Sequence, residues 1–216
     1  MEKESYFTHA NRKEKVEEWD AICKASKSRK PFELELDKAA LLVLDMQNYF
    51  IDRNSNAHVP SAGTIILPVN KLISFMYERG RPVIFTKHIT SDEPHDLMKK
   101  MWKDNIPDEE HISGIINHID SSKGIVLTKN FYSAFRKTGL NKLLKELGVE
   151  QLIITGVMTH LCCETTARDA FSRYFEVFFV IDGTATYTEE LHVGTLRSIS
   201  HGFGVCVTVE EIIGEK

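Results

Sequence analysis

Three short apolar runs in this chain each lead to a side chain that can do chemistry. Ala39-Ala40-Leu41-Leu42-Val43-Leu44 runs into Asp45, Ile125-Val126-Leu127-Thr128 runs into Lys129, and Leu152-Ile153-Ile154-Thr155-Gly156 is followed shortly by Cys162. Continuous apolar runs of this length, rich in branched residues, read as strands buried on both faces, as in a parallel sheet. In open sheets of that kind, ligands bind in the crevice beyond the carboxyl ends of the strands. The pattern therefore predicts an acid, an amine and a thiol at one ligand-binding edge, the parts of a nucleophilic hydrolase.

The rest of the chain keeps the alternation. Strands are expected at 39–44, 83–86, 125–128, 152–155, 177–181 and 205–209, with helical segments at 67–79, 140–147, 163–174 and 189–201 between them. Gly80, Gly148 and Gly202 punctuate the ends of three of these helices. Strands alternating with amphipathic helices predict a three-layer α/β/α sandwich around a six-stranded, mainly parallel sheet. Residues 1–30 are highly charged, with modest helical periodicity through Val16, Trp19, Ile22 and Cys23, and Pro31 ends the segment. They read as an N-terminal helical extension packed on the domain or on a partner subunit, with 31–216 as the domain itself. The stretch 88–123 is long and polar, with a short helix expected at 96–103, and a connection of that length reads as a lid or binding loop.

Composition narrows the partners. The net charge is −4 and no Lys/Arg run dominates a segment, which argues against nucleic acid. The apolar runs fall far short of a membrane span, and Met-Glu-Lys-Glu-Ser at the start lacks the apolar stretch of a signal peptide, so a cytoplasmic protein is expected. Cys23, Cys162, Cys163 and Cys206 match neither a zinc ribbon nor a disulfide framework, and in a reducing compartment all four are expected to be thiols.

Cys162 falls where strand, tight turn and helix follow one another, near a helix N-terminus. Unpaired N–H groups and the helix dipole there favour a thiolate and could receive an oxyanion. Fast alkylation by iodoacetamide near neutral pH is the corresponding expectation. Cys163 reads as a small core residue, although periodicity alone does not decide between the two. Asp45 closes an apolar strand, where a carboxylate is costly unless paired or used; the plain alternative is a cap or turn residue. Lys129 alone would read as a solvated strand end. His160 and His192 read as polar surface or interface residues, and Glu164 as serving a helix N-terminus. The pocket candidates are Gln47, Phe50, His88, Trp102, Phe131 and Tyr132, with plain packing the alternative for the aromatic ones.

The chain resembles the isochorismatase-like cysteine hydrolases, a superfamily including nicotinamidases, N-carbamoylsarcosine amidohydrolase and isochorismatases. The resemblance runs from about Lys38 to the C-terminus. It rests on Leu44-Asp45-Met46-Gln47-Asn48-Tyr49-Phe50, on Lys129 with the Tyr132-Ser133-Ala134-Phe135 that follows, and on Gly156-Val157-x-Thr159-x-x-Cys162. Thr166-Ala167-Arg168-Asp169-Ala170 and Asp182-Gly183-Thr184-Ala185-Thr186 add to it. It implies a Rossmann-like hydrolase fold, Cys162 as nucleophile, Asp45 as its base and Lys129 in the charged network. It further implies a cis peptide between Val157 and Met158, with the Met158 and Cys162 N–H groups as an oxyanion hole. The implied reaction is hydrolysis of a small amide, carbamoyl or ureido compound through a thioester, by a homodimer or homotetramer.

Departures from the family refine that expectation. Nicotinamidases carry an Asp-x-His metal site after the second strand, where this chain reads Thr86-Lys87-His88-Ile89-Thr90. His88 and His95 lack a carboxylate at that spacing, so no metal or other cofactor is expected. Isochorismatase-type vinyl-ether cleavage ranks second, because Cys162 would be superfluous in it. A non-catalytic binding or assembly module ranks third, since such a module has no need of all three reactive groups.

Overall fold

A computed structural model describes residues 2–26, 31–91, 93, 97–103 and 105–214. Along the chain the elements are α1 (Arg12–Ala25), β1 (Ala39–Leu44), α2 (Asn48–Ile51), α3 (Ala62–Glu78), β2 (Val83–His88), α4 (Leu97–Trp102), α5 (Glu110–Ser113), β3 (Ile125–Lys129), α6 (Leu140–Glu146), β4 (Gln151–Val157), α7 (Glu164–Ser172), β5 (Glu176–Ala185), α8 (Glu189–Gly202), β6 (Val205–Val207) and α9 (Val209–Ile213). The strands form one all-parallel sheet in the order β3-β2-β1-β4-β5-β6. The direction of winding reverses beside β1, and such reversals open a crevice for ligands.

Every residue of β1 and β4 is buried, as their unbroken apolar runs require. β3 departs from expectation. It pairs with β2 alone at the sheet edge, and Ile125 and Val126 are each 43% exposed, so only its last residue, Lys129, is buried. An apolar run signals a strand, but it does not say how many neighbours that strand will have.

Helices cover both faces. α3 presents Ile65, Val69, Leu72, Ile73 and Met76 to β1, β4 and β5 and packs on α9. α7 and α8 pack on the opposite face. The expected strand at 205–209 stops at Val207, because Thr208 and Glu211 form a reciprocal capping box that starts α9. Where a helix was expected from residue 163, a π-helical turn over Thr159–Cys163 comes first and runs into α7. The expected helix at 96–103 spans Leu97–Trp102, and residue 96 lies outside the described residues, as does His95.

Residues 2–25 are woven into the domain. Phe7 N–H donates to Ser61 Oγ at 3.1 Å, Thr64 Oγ1 donates to Phe7 O at 2.9 Å, and Thr186 N–H donates to the Tyr6 hydroxyl at 3.1 Å. α1 packs on α8, β5 and β6 and buries Trp19 completely, with the indole N–H donating to Glu189 Oε1 at 3.0 Å. Burying a large aromatic side chain contributes about 2–3 kcal/mol. Trp19 packs 4.4 Å from the ring of His192 on α8. His192 Nδ1 lies 3.0 Å from Thr159 Oγ1, so this cluster supports the turn that leads to Cys162. His192, read from the sequence as a polar surface or interface residue, is a core residue instead: packing of α1 within the chain covers it completely.

Burial lowers the His192 pKa to about 3, whereas an unfolded chain protonates histidine near 6.5. Below about pH 6.5 the unfolded state therefore binds more protons than the fold. The stability this group contributes is complete above that pH and drains away as pH falls toward about 3. Urea unfolding between pH 4 and 7 should show a slope of up to ~1.4 kcal/mol per pH unit from this residue. His192→Gln should flatten the slope, and an unchanged slope would contradict the assignment.

Candidate active site

Four neighbouring strands bring their carboxyl ends to one edge of the sheet. Leu44 of β1 stands in register with Thr86 of β2 and Gly156 of β4, and His88 of β2 with Lys129 of β3. Asp45, Lys129 and the turn bearing Cys162 thus converge although the sequence separates them widely.

Asp45 leaves β1 with φ +53°, a left-handed backbone that costs a non-glycine residue about 1–2 kcal/mol. The surroundings hold it there. Its N–H donates to Thr86 O at 3.1 Å, and its carbonyl accepts from Gln47 N–H at 2.7 Å. Thr86 Oγ1 donates to Asp45 Oδ1 at 2.7 Å. The other carboxylate oxygen, Oδ2, lies 2.7 Å from Lys129 Nζ, and neither side chain has any exposure. Lys129 Nζ also donates to Phe131 O at 2.9 Å and to Cys162 Sγ at 3.3 Å, and lies 3.4 Å from His88 Nδ1.

The nucleophile candidate rests on a tight turn. Gly156 adopts φ +109°, and a Cβ there would lie 2.0 Å from Leu44 O, so β1 and β4 approach this closely only with glycine. The Val157–Met158 peptide is cis. Met158 O then accepts from both Leu161 N–H at 3.1 Å and Cys163 N–H at 3.2 Å, closing the π-helical turn. Cys163 is completely buried, with Sγ 3.9 Å from Thr155 O.

Burial lowers the Lys129 pKa, but the Asp45 charge and Cys162 outweigh it, so the net direction is upward and the ammonium is retained. Burial pushes the Cys162 thiol up to about 12; the Lys129 charge opposes this, while Asp45 adds to it by charge and by a hydrogen bond. The ligand-free site therefore holds a thiol hydrogen-bonded to a carboxylate, itself paired with an ammonium. The direction of this shift runs against the resting thiolate expected near a helix N-terminus. Desolvation and the adjacent carboxylate dominate any dipole in a site this dry.

A cavity of about 330 Å³ opens onto Cys162. Phe50, His88, Trp102, Tyr132 and Met158 line it, joined by Tyr49, Leu161 and Tyr187. Trp102 Nε1 donates to the Tyr132 hydroxyl at 2.7 Å, tying α4 to the segment after β3. Two pocket candidates are not among its lining residues. Gln47 is completely buried, its amide donating to His88 O and Ser113 O at 2.9 and 2.7 Å and accepting from His88 N–H at 2.7 Å. Its work is to lock β1, β2 and α5 together. Phe131 turns instead beneath the Arg136 guanidinium, 4.3 Å from its ring. His160 Nδ1 lies 2.6 Å from Thr186 Oγ1, away from this cavity. Among the described residues no group of three or more His, Cys, Asp or Glu side chains could hold a metal.

Sequence reasoning missed Thr86, which aligns Asp45. Its place one strand over, at the same register as Leu44, is set by pairing that the sequence does not display. It also missed Lys3 and Lys99, both of which line the cavity.

A family model described as the Isochorismatase domain matches residues 39–211. The chain is 39% identical over 180 residues to nicotinamidase 3 of Arabidopsis thaliana, covering 81% of this chain and 86% of that protein. It is 33% identical over 182 residues to enterobactin synthase component B of Escherichia coli (strain K12), covering 83% of this chain but only 64% of that protein. Among solved structures, a cysteine hydrolase from Pseudomonas syringae pv. phaseolicola shares the fold with a TM-score of 0.81 at 24% identity, over 88% of this chain and 98% of that one.

Two outcomes follow from the geometry. Lys129→Met leaves Asp45 as an uncompensated buried carboxylate and should cost about 3–5 kcal/mol in urea unfolding. Adding Asp45→Asn should recover more than half of that loss, and a double variant no better than the single would contradict the pairing. Alkylation of ligand-free Cys162 by iodoacetamide at pH 7.5, followed by intact mass, should run roughly 10–100-fold slower than that of an unburied thiol. A fast phase at this residue would mean that the thiolate is already formed.

Proposed function

The chain belongs to the isochorismatase family and is a hydrolase, and from that premise we propose that it cleaves a C–N bond of a small amide, carbamoyl or ureido compound through a thioester on Cys162. The observation that supports this most is the Lys129 ammonium standing 2.7 Å from Asp45 Oδ2 and 3.3 Å from Cys162 Sγ. Similarity to a nicotinamidase, at 39% identity, points the same way.

The reaction begins with Asp45 taking the Cys162 proton as Sγ attacks the carbonyl carbon. The C–S bond forms, and the carbonyl π pair moves to oxygen, where the Met158 and Cys162 N–H groups receive it. Lys129 offsets the negative charge shared between sulfur and carboxylate while the proton is in transit. As the oxyanion collapses, the C–N bond breaks and the leaving nitrogen takes its proton from Asp45. Water, deprotonated by Asp45, then adds to the thioester carbon. The C–S bond breaks, the acid leaves, and the proton returns to sulfur. One base thus serves both half-reactions, and sulfur acquires charge only when a carbonyl is there to receive its electron pair.

Ammonia release across a panel of small primary amides and ureido acids tests the reading. Cys162→Ala and Asp45→Asn should each lower kcat on any active compound by about 10³-fold or more. Acid-quenched wild-type protein should carry the acyl mass on the peptide containing Cys162. Full turnover by Cys162→Ala would refute the covalent route.

A further inference from the structure

From residue 130 to residue 139 the chain makes neither helix nor strand, yet this stretch supplies two parts of the site. The Phe131 carbonyl takes one Lys129 ammonium proton at 2.9 Å. Tyr132 lines the cavity, and its hydroxyl accepts from Trp102 Nε1 at 2.7 Å. Backbone groups outside a ladder or helix need other partners to be held in one place. Several of those partners come from one face of α7.

Thr166 and Asp169 stand about one turn apart on that helix. Thr166 is completely buried, and its Oγ1 accepts from Ala134 N–H at 3.0 Å. Asp169 Oδ2 accepts from the Ser133 hydroxyl at 2.6 Å, and the same hydroxyl oxygen accepts from Phe135 N–H at 3.1 Å. Arg173 fixes the carboxylate in turn, its Nε donating to Oδ1 at 2.7 Å. Ser133 is buried, whereas the Asp169 and Arg173 side chains are 28% and 38% exposed. A hydrogen bond to an ionised group is stronger than a neutral one, while an ion pair open to solvent contributes little. The grip on the turn therefore lies in the Ser133 contact. Ser133 and Asp169 belong to two of the sequence motifs noted at the outset, and the chemistry at Cys162 uses neither residue.

We propose that Asp169 is a positioning residue of the active site: through Ser133 it holds the turn after β3 and so sets Tyr132 as the wall against which substrate packs. Asp169 itself does not line the cavity. Lys129 keeps its ion pair with Asp45 when the turn loosens, so the loss falls on substrate binding rather than on the chemical step. That kinetic consequence rests on the reading of the site as a C–N hydrolase; the placement of Tyr132 does not.

Fluorescence gives a readout that needs no substrate. The chain has two tryptophans, Trp19 completely buried and Trp102 42% exposed, so acrylamide quenching reports chiefly on Trp102 and its bond to Tyr132. Asp169→Ala and Ser133→Ala break one contact from either side, so the loss of one variant to misfolding leaves the other. Each should raise the quenching to the level of Tyr132→Phe, and adding Tyr132→Phe to Asp169→Ala should raise it no further. On any amide of the panel that is turned over, both should raise KM roughly 5–10-fold with kcat within about 2-fold of wild type. Asp169→Asn keeps an acceptor for the hydroxyl, and Arg173→Met removes only the exposed ion pair; each should match wild type in both readouts. Quenching unchanged in the two alanine variants, or reproduced by Arg173→Met, would overturn the proposal, as would a fall in kcat at constant KM. If quenching moves as expected while wild-type protein hydrolyses nothing in the panel, Asp169 still positions Tyr132 and only the hydrolytic reading falls.

Discussion

An opposite pair of charges sits in the dry interior of this protein, 2.7 Å apart and closed to solvent on both sides. Desolvating either partner alone would cost several kcal/mol, and the pair persists because each neutralises the other and each has further hydrogen bonds. Thr86 takes up one carboxylate oxygen, and the carbonyl of Phe131 takes one ammonium proton. The Cys162 thiol completes the arrangement. Much of the surrounding structure supports it: the left-handed turn at Asp45, the glycine approach at Gly156, and the amide of Gln47 spanning three segments. Burial first, and the adjacent carboxylate after it, raise the pKa of the Cys162 thiol.

Support for the turn that carries Cys162 reaches across the fold. Thr159 opens that turn, His192 contacts Thr159, and Trp19 of the first helix packs on His192. Helices α1 and α8 therefore back the Cys162 loop from behind while the cavity faces it from the front. The same N-terminal stretch contributes Lys3 to the cavity. The N-terminal segment thus reaches the site from two directions, by packing behind the Cys162 turn and by lining the cavity.

Much of this was legible beforehand, for physical reasons. Central parallel strands must be apolar on both faces, so β1 and β4 announced themselves, and Asp45 stood out against that background. The resemblance to a known family then selected Cys162 over its neighbour. What escaped depended on pairing and packing. The exposure of β3 follows from its having one neighbour, and the role of Thr86 from which strand lies beside β1. The burial of His192 follows from α1 folding over it, a helix whose Trp19 also bonds Glu189 across a separation of 170 residues. Gln47 reads from the sequence as a pocket candidate, yet a glutamine can satisfy three backbone groups at once, and here it does. The expected thiolate rested on a helix dipole, whereas burial raises the cost of charging this sulfur.

The position of Lys129 has one more consequence. It is the last residue of a strand held on one side only, whose first two residues already face water. Fraying of that margin would withdraw the cation from the site while the central strands stayed intact. Mild heat or low denaturant would then break the Asp45–Lys129 pair before any global transition registered.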